Sequence, residues 1–119
     1  MAINPFEAHV RHEQPRVVVV DMRGEIDAFA EESLTSAYSE AEAQEPEIIL
    51  LNFGGVGYIN STGIALVVSL LARARKSHRH LLACGLSDHY VEIFNITRLA
   101  DFMEVFPDEA SALGQRPVS

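Results

Sequence analysis

The chain has 119 residues, 48% of them hydrophobic, which suits one globular domain with a real core and excludes a disordered tail protein. Its net charge of −8 makes nucleic acid and anionic membrane poor partners and favours a protein with basic patches. A single cysteine, Cys84, rules out an internal disulfide and a cysteine-built zinc site; residues 1–13 lack a leader's apolar core and no apolar run approaches a membrane span, so the cytoplasm is the expected location.

The first predicted element is the β-branched run 17–20, extended by Met22 and ended by Gly24, which reads as a strand buried on both faces. Residues 28–44 follow as a helix, with Ala30, Leu34, Ala37, Tyr38 and Ala41 at helical spacing. Asp27 is well typed as its N-cap, Glu31 and Glu32 suit its first turn, and Pro46 closes it. Ile48 to Leu51 form the centre of a second buried strand, 47–53. Gly54, Gly55 and Gly57 then predict a loosened turn; they lack the Lys-Ser/Thr ending of a phosphate-binding loop and the spacing of a dinucleotide fingerprint.

The next helix spans 61–77, with Ile64, Val67, Val68 and Leu71 on one face. Apolar side chains fill about 220° of its wheel at roughly 100° per residue, leaving only Ser69, Arg73 and Lys76 as a clearly polar strip. Such a helix is either deeply buried or presents an apolar flank to another molecule; deep burial is the expectation for most of it. A third strand, 80–84, ends at Gly85. Ser87 or Asp88 caps a short helix carrying Tyr90, Val91, Ile93 and Phe94. An apolar cluster from Leu99 to Phe106 reads as a loop and short strand, 108–113 as a last helix, and Gly114 and Pro117 lead into a frayed end. Strands alternating with helices predict an α/β layer structure with parallel pairs. The expected domain is single, 1–119, with an ordered core of about 15–113.

Few residues invite chemistry. Cys84 lies in an apolar strand and reads as a buried, inert thiol. His78 and His80 alternate as on one strand face, but two ligands make a weak metal site, and with Arg75, Lys76 and Arg79 beside them a solvated basic turn is the plainer reading. Asn60, Ser61 and Thr62 stand where strand gives way to helix, and all three are suited to N-capping. A phosphate there would sit at the positive end of a helix. Ser61 as an esterase nucleophile would need glycine two residues to either side; Ile59 and Gly63 hold those places, and none of His78, His80 or His89 is singled out as a base. No motif calls for a cofactor.

Three separated segments together resemble the anti-sigma-factor antagonists, the bacterial branch of the STAS domains. Arg23-Gly24-Glu25-Ile26-Asp27 is similar to the family's Gly-Glu-(Leu/Ile)-Asp. Residues 49–53 running to Tyr58-Ile59-Asn60-Ser61-Thr62-Gly63-Ile64 resemble its strand, short loop and Asp-Ser-(Ser/Thr)-Gly-Leu. Residues 82–85, then Ile96-Thr97-Arg98-Leu99 and 102–112, are similar to its closing strand, helix, Thr-Gly-Leu turn and terminal helix. The resemblance implies a SpoIIAA-like fold: a small mixed sheet of four to five strands with helices mainly on one side. It implies a function without catalysis, in which the protein binds an anti-sigma factor and so releases a sigma factor. That anti-sigma factor is often a serine kinase, which switches binding off by phosphorylating the first hydroxyl of the motif, here Ser61; a PP2C-type phosphatase restores it. Thr62, Gly63, Asn60 and Asp27 fall in the implied partner-binding surface. Asn60 stands where the family usually has Asp, and Arg98 takes the glycine place of the Thr-Gly-Leu turn. Two alternatives remain: an unphosphorylated STAS module in a sensory (stressosome-like) or transport assembly, and a small serine hydrolase, which the missing elbow glycine disfavours. Homodimer formation is left open.

Overall fold

The computed structural model describes residues 5–114. Its elements in chain order are β1 (Glu7–Gln14), β2 (Val17–Ile26), a 3-10 turn (Ala28–Ala30), α1 (Glu31–Glu42), β3 (Ile48–Ile59), α2 (Ser61–Lys76), β4 (His80–Cys84), α3 (Asp88–Ile96), a second 3-10 turn (Leu99–Asp101), β5 (Glu104–Phe106) and α4 (Glu109–Gly114). The five strands lie side by side in the order β1-β2-β3-β4-β5. β1 is antiparallel to β2, and every other neighbouring pair is parallel.

β2, β3 and β4 are apolar on both faces because both faces are covered. Val18, Val20, Ile49, Leu51, Phe53, Leu81 and Ala83 face a layer that includes Leu34 and Tyr38 of α1, Val67 and Leu71 of α2 and Phe94 of α3. On the opposite face Val17, Val19, Ile48, Leu50, Leu82 and Cys84 meet Phe106 of β5 and Ala112 of α4. This is the mixed sheet with helices mainly on one side that the resemblance implies. α4 is tied across its face by Arg11, which donates to Asp21 on β2 and to Glu109 at distances of 2.5 and 2.6 Å. The Arg11 hydrogen bond holds the Asp21 carboxyl below its usual range, against the opposing effect of burial, and Asn52 assists by donating to the same carboxylate at 2.8 Å.

Four expectations are corrected. The ordered core begins before residue 15, because β1 pairs with β2 along most of its length through a Pro15-Arg16 turn. The frayed end expected beyond Gly114 lies outside the described residues. Gly54, Gly55 and Gly57 are not a loose turn: β3 runs through them to Ile59, still paired with β2, with register irregularities opposite 21–25. The chain needs glycine there for close approach, since a Cβ on Gly55 would lie 2.7 Å from Arg23 Cβ and 2.9 Å from Met22 O.

The third correction concerns α2. Its buried stripe is Gly63, Val67, Leu70, Leu71 and Ala74, rotated from the expected face. Ile64 is half-buried, and Val68 is 46% exposed. The helix therefore does keep an apolar flank outside the core. His78 and His80 do not share a strand face either: His78 sits in the turn after α2 with φ 60°, and only His80 belongs to β4.

Candidate functional site

β2, β3 and β4 run parallel, so the helices that follow them all start along one edge of the sheet. In open α/β sheets this is where binding residues collect. At its centre β3 ends at Ile59 and α2 begins at Ser61. Asn60 makes the junction: its backbone is extended, its side-chain oxygen accepts from Gly63 N–H at 2.8 Å, and its own N–H donates to Ile26 O at 3.2 Å. Of the three residues suited to capping, Asn60 does the capping. Ser61 and Thr62 are then the first two helical residues, both exposed. The Ser61 hydroxyl makes no hydrogen bond among the described residues, and it stands at the positive end of a 16-residue helix.

Gly63 fixes how closely this junction approaches β2. A Cβ there would lie 2.1 Å from Ile26 O and 2.8 Å from Ile59 Cγ2, so no larger residue fits without moving backbone. The contact brings the end of β2, and Asp27 after it, against the first turn of α2. Ile26 and Ile59 are direct partners in the sheet, which sets Asp27 and Asn60 side by side at the ends of adjacent strands. Asp27 does cap, as expected, but what it caps is the 3-10 turn ahead of α1: its carboxylate accepts from Phe29 N–H at 2.9 Å.

On the other side of Ser61 lies an open groove of about 550 Å³ lined by Tyr58, Ile59, Asn60, Ser61, Ile64, His89, Tyr90, Ile93 and Thr97. Its walls are largely apolar. The Tyr90 hydroxyl accepts from Ile59 N–H at 2.9 Å, in a buried bond that pins the last residue of β3 to α3. Ser87 caps α3 by accepting from Tyr90 N–H. His89 shares the groove with Ser61, but its ring packs edge-on against Tyr90 with centroids 4.8 Å apart. No hydrogen bond joins Ser61 to a histidine among the described residues, and the ring of His89 is engaged by Tyr90.

The five site residues read from the sequence, Asp27, Asn60, Ser61, Thr62 and Gly63, thus come together at one edge. Cys84 lies elsewhere, on the face under α4; burial pushes its thiol up to about 11, and it donates weakly to Asn52. Two residues of the edge escaped the sequence reading. Tyr90 was legible as apolar but not as the acceptor for a backbone group 31 positions away. Phe29 was absorbed into a helix it precedes; it is 95% exposed at the tip of the 3-10 turn.

Comparison with known proteins gives the family and the fold. A family model described as the STAS domain matches residues 9–112. The anti-sigma-B factor antagonist of Listeria monocytogenes serovar 1/2a is 30% identical over 82 residues, 69% of this chain and 72% of that one. The crystal structure of an anti-sigma factor antagonist from Mycobacterium paratuberculosis superposes with a TM-score of 0.75 at 20% identity, covering 92% of each chain. The Bacillus cell fate determinant SpoIIAA in its phosphorylated form does so with a TM-score of 0.71 at 21% identity, covering 91% of this chain and 97% of that one. The two structures share the fold.

Proposed function

This chain belongs to the STAS domain family, and on that premise we propose that it is an anti-sigma-factor antagonist switched by phosphorylation of Ser61. Its relatives are regulatory proteins rather than enzymes. The observation that carries the switch is the Ser61 hydroxyl: exposed, unbonded, on the first residue of α2, with capping delegated to Asn60. A kinase can reach such a hydroxyl without unfolding anything. The partner is a cytoplasmic anti-sigma factor that is itself an ATP-using serine kinase; it transfers the γ-phosphoryl group to Ser61 Oγ, leaving ADP and a proton. A PP2C-type phosphatase hydrolyses the ester. The chain performs no catalysis of its own.

Phosphorylation adds about −1.5 to −2 charges at neutral pH. Within the domain the end of α2 tolerates this, because a helix N-terminus carries roughly +0.5 charge. Asn60 helps in the same direction: an uncharged cap adds no carboxylate of its own to that of Asp27 beside the phosphate. The groove beside Ser61 is another matter. A partner covering Tyr58, Ile64 and Ile93 removes water from that rim, and a dianion there must lose its hydration. A misplaced charge at an interface costs several kcal/mol, and each ~1.4 kcal/mol is a tenfold loss of affinity. One phosphate therefore suffices to separate a micromolar complex without refolding the domain.

Incubation of the purified chain with its kinase-type anti-sigma factor and Mg-ATP should add one phosphate, which peptide mass spectrometry places on Ser61. A phosphate that still appears in Ser61→Ala refutes the assignment.

A further inference from the structure

Phe29 has no place in the core formed by the described residues. The side chain is 95% exposed, the most exposed large hydrophobic residue among those described. It is not on a floppy loop. The turn Ala28–Ala30 is closed by Asp27, whose carboxylate accepts from Phe29 N–H at 2.9 Å while Ala30 N–H donates to Asp27 O at 3.0 Å, and Ala30 is fully buried beneath it. The turn also packs against α2. The fold thus holds an aromatic ring in water, on a fixed stem, at the edge that carries Ser61.

We propose that Phe29 is the anchor by which this chain binds its anti-sigma factor, inserting into an apolar pocket with a basic rim on that partner. Asp27 is then a positioning residue that fixes the turn. The apolar pocket follows from the ring: aromatic residues delivered to a desolvated pocket dominate interface energetics. The basic rim follows from what surrounds it. Glu31 and Glu32, both exposed, line the same hollow as Phe29, and the chain's net charge is −8. A neutral or acidic rim would leave these carboxylates unpaired; lysines or arginines would pair them and speed encounter. The assignment rests on the functional reading above, and it extends the interface from Ser61 across Asp27 to the start of α1.

The test measures binding of the anti-sigma factor encoded in the same genome to immobilised wild-type chain, Phe29→Ala, Phe29→Tyr and the double variant Glu31→Gln/Glu32→Gln. Phe29→Ala should weaken binding by at least ~30-fold with an unchanged melting temperature, because the ring contributes nothing to the core. Phe29→Tyr should stay within about threefold. The double variant should associate more slowly at low salt, with the difference fading as salt rises. Phe29→Ala binding within threefold of wild type overturns the anchor alone. Equal association rates for the double variant overturn the basic rim. A wild-type chain that fails to bind the anti-sigma factor overturns the functional reading and the anchor together.

Discussion

Gly63→Ala is the substitution on which the geometry of the edge can be judged. In an isolated helix the change would stabilise, since glycine is about 1 kcal/mol less favourable than alanine. Here the new Cβ would lie 2.1 Å from Ile26 O and 2.9 Å from Ile26 C, where ordinary van der Waals contact begins near 3.4 Å. Both are backbone atoms of the last residue of β2, which is held by its β3 partner Ile59 and by the bond that Ile26 O accepts from Asn60 N–H, so they cannot swing away freely. The first turn of α2 must lift off β2 instead. Overpacking of this kind costs typically 1–3 kcal/mol, and a clash with backbone belongs at the upper end or beyond. After the propensity gain, a net loss of about 2 kcal/mol remains, equivalent to roughly 8 °C in melting temperature for a domain of this size. Gly57→Ala is the control, because a Cβ there meets nothing within 4 Å; it should shift the midpoint by no more than about 2 °C. Thermal melts followed by circular dichroism measure both. If Gly63→Ala melts at or above the wild-type temperature, the close approach of α2 to Ile26 is wrong, and with it the juxtaposition of Asp27, Asn60 and Ser61.

Three further outcomes follow from single contacts. Tyr90→Phe removes the acceptor for the buried Ile59 N–H and should cost about 1–3 kcal/mol, with faster hydrogen exchange at Ile59 as its local signature. Arg98 occupies the left-handed region at φ 68°, so Arg98→Gly should leave chemical-denaturation stability unchanged or raise it by up to about 1 kcal/mol, despite losing the ion pair to Asp101. The Asp21 carboxyl is held below its ordinary value, chiefly by Arg11. Its contribution is therefore fully present above the unfolded value of about 3.9 and is lost as pH falls through the lower folded value. Asp21→Asn should lose less stability than wild type as pH falls below about 4, as read from urea midpoints in acid.

What could be seen in the sequence and what could not divides along physical lines. β2, β3 and β4 were legible because both sides of each are buried, which leaves unbroken runs such as Val17 to Val20 and Ile48 to Leu51. β1 was not, because only Ala8 and Val10 of this edge strand pack on the core, between exposed or half-exposed charged and polar residues. The two-residue alternation of Phe6, Ala8 and Val10 was its one signal. The glycines of β3 were misread because glycine usually ends a strand; the reason it continues, contact with Arg23 and Met22, is tertiary. The rotation of α2 was hidden for the same reason. Gly63 seated on Ile26 O turns Val68 outward, and no periodicity within 61–77 records that contact. The cluster around Ser61 was visible by residue type and by family resemblance, but three equally good caps stood in a row. Only the hydrogen bond from Gly63 N–H to Asn60 Oδ1 assigns the work to Asn60 and leaves Ser61 free. The Arg98 position shows a resemblance carrying backbone information: where the family has glycine, this chain keeps the left-handed turn with a side chain that does not favour it.

The central claim is that Ser61 lies within the surface that holds the anti-sigma factor and that a phosphate on it breaks the complex. Isothermal titration of the anti-sigma factor with unmodified chain and with chain stoichiometrically phosphorylated at Ser61 tests this most directly. The account predicts a loss of at least about 100-fold in affinity on phosphorylation, with no change in the circular dichroism spectrum. Equal affinities for the two forms would contradict it.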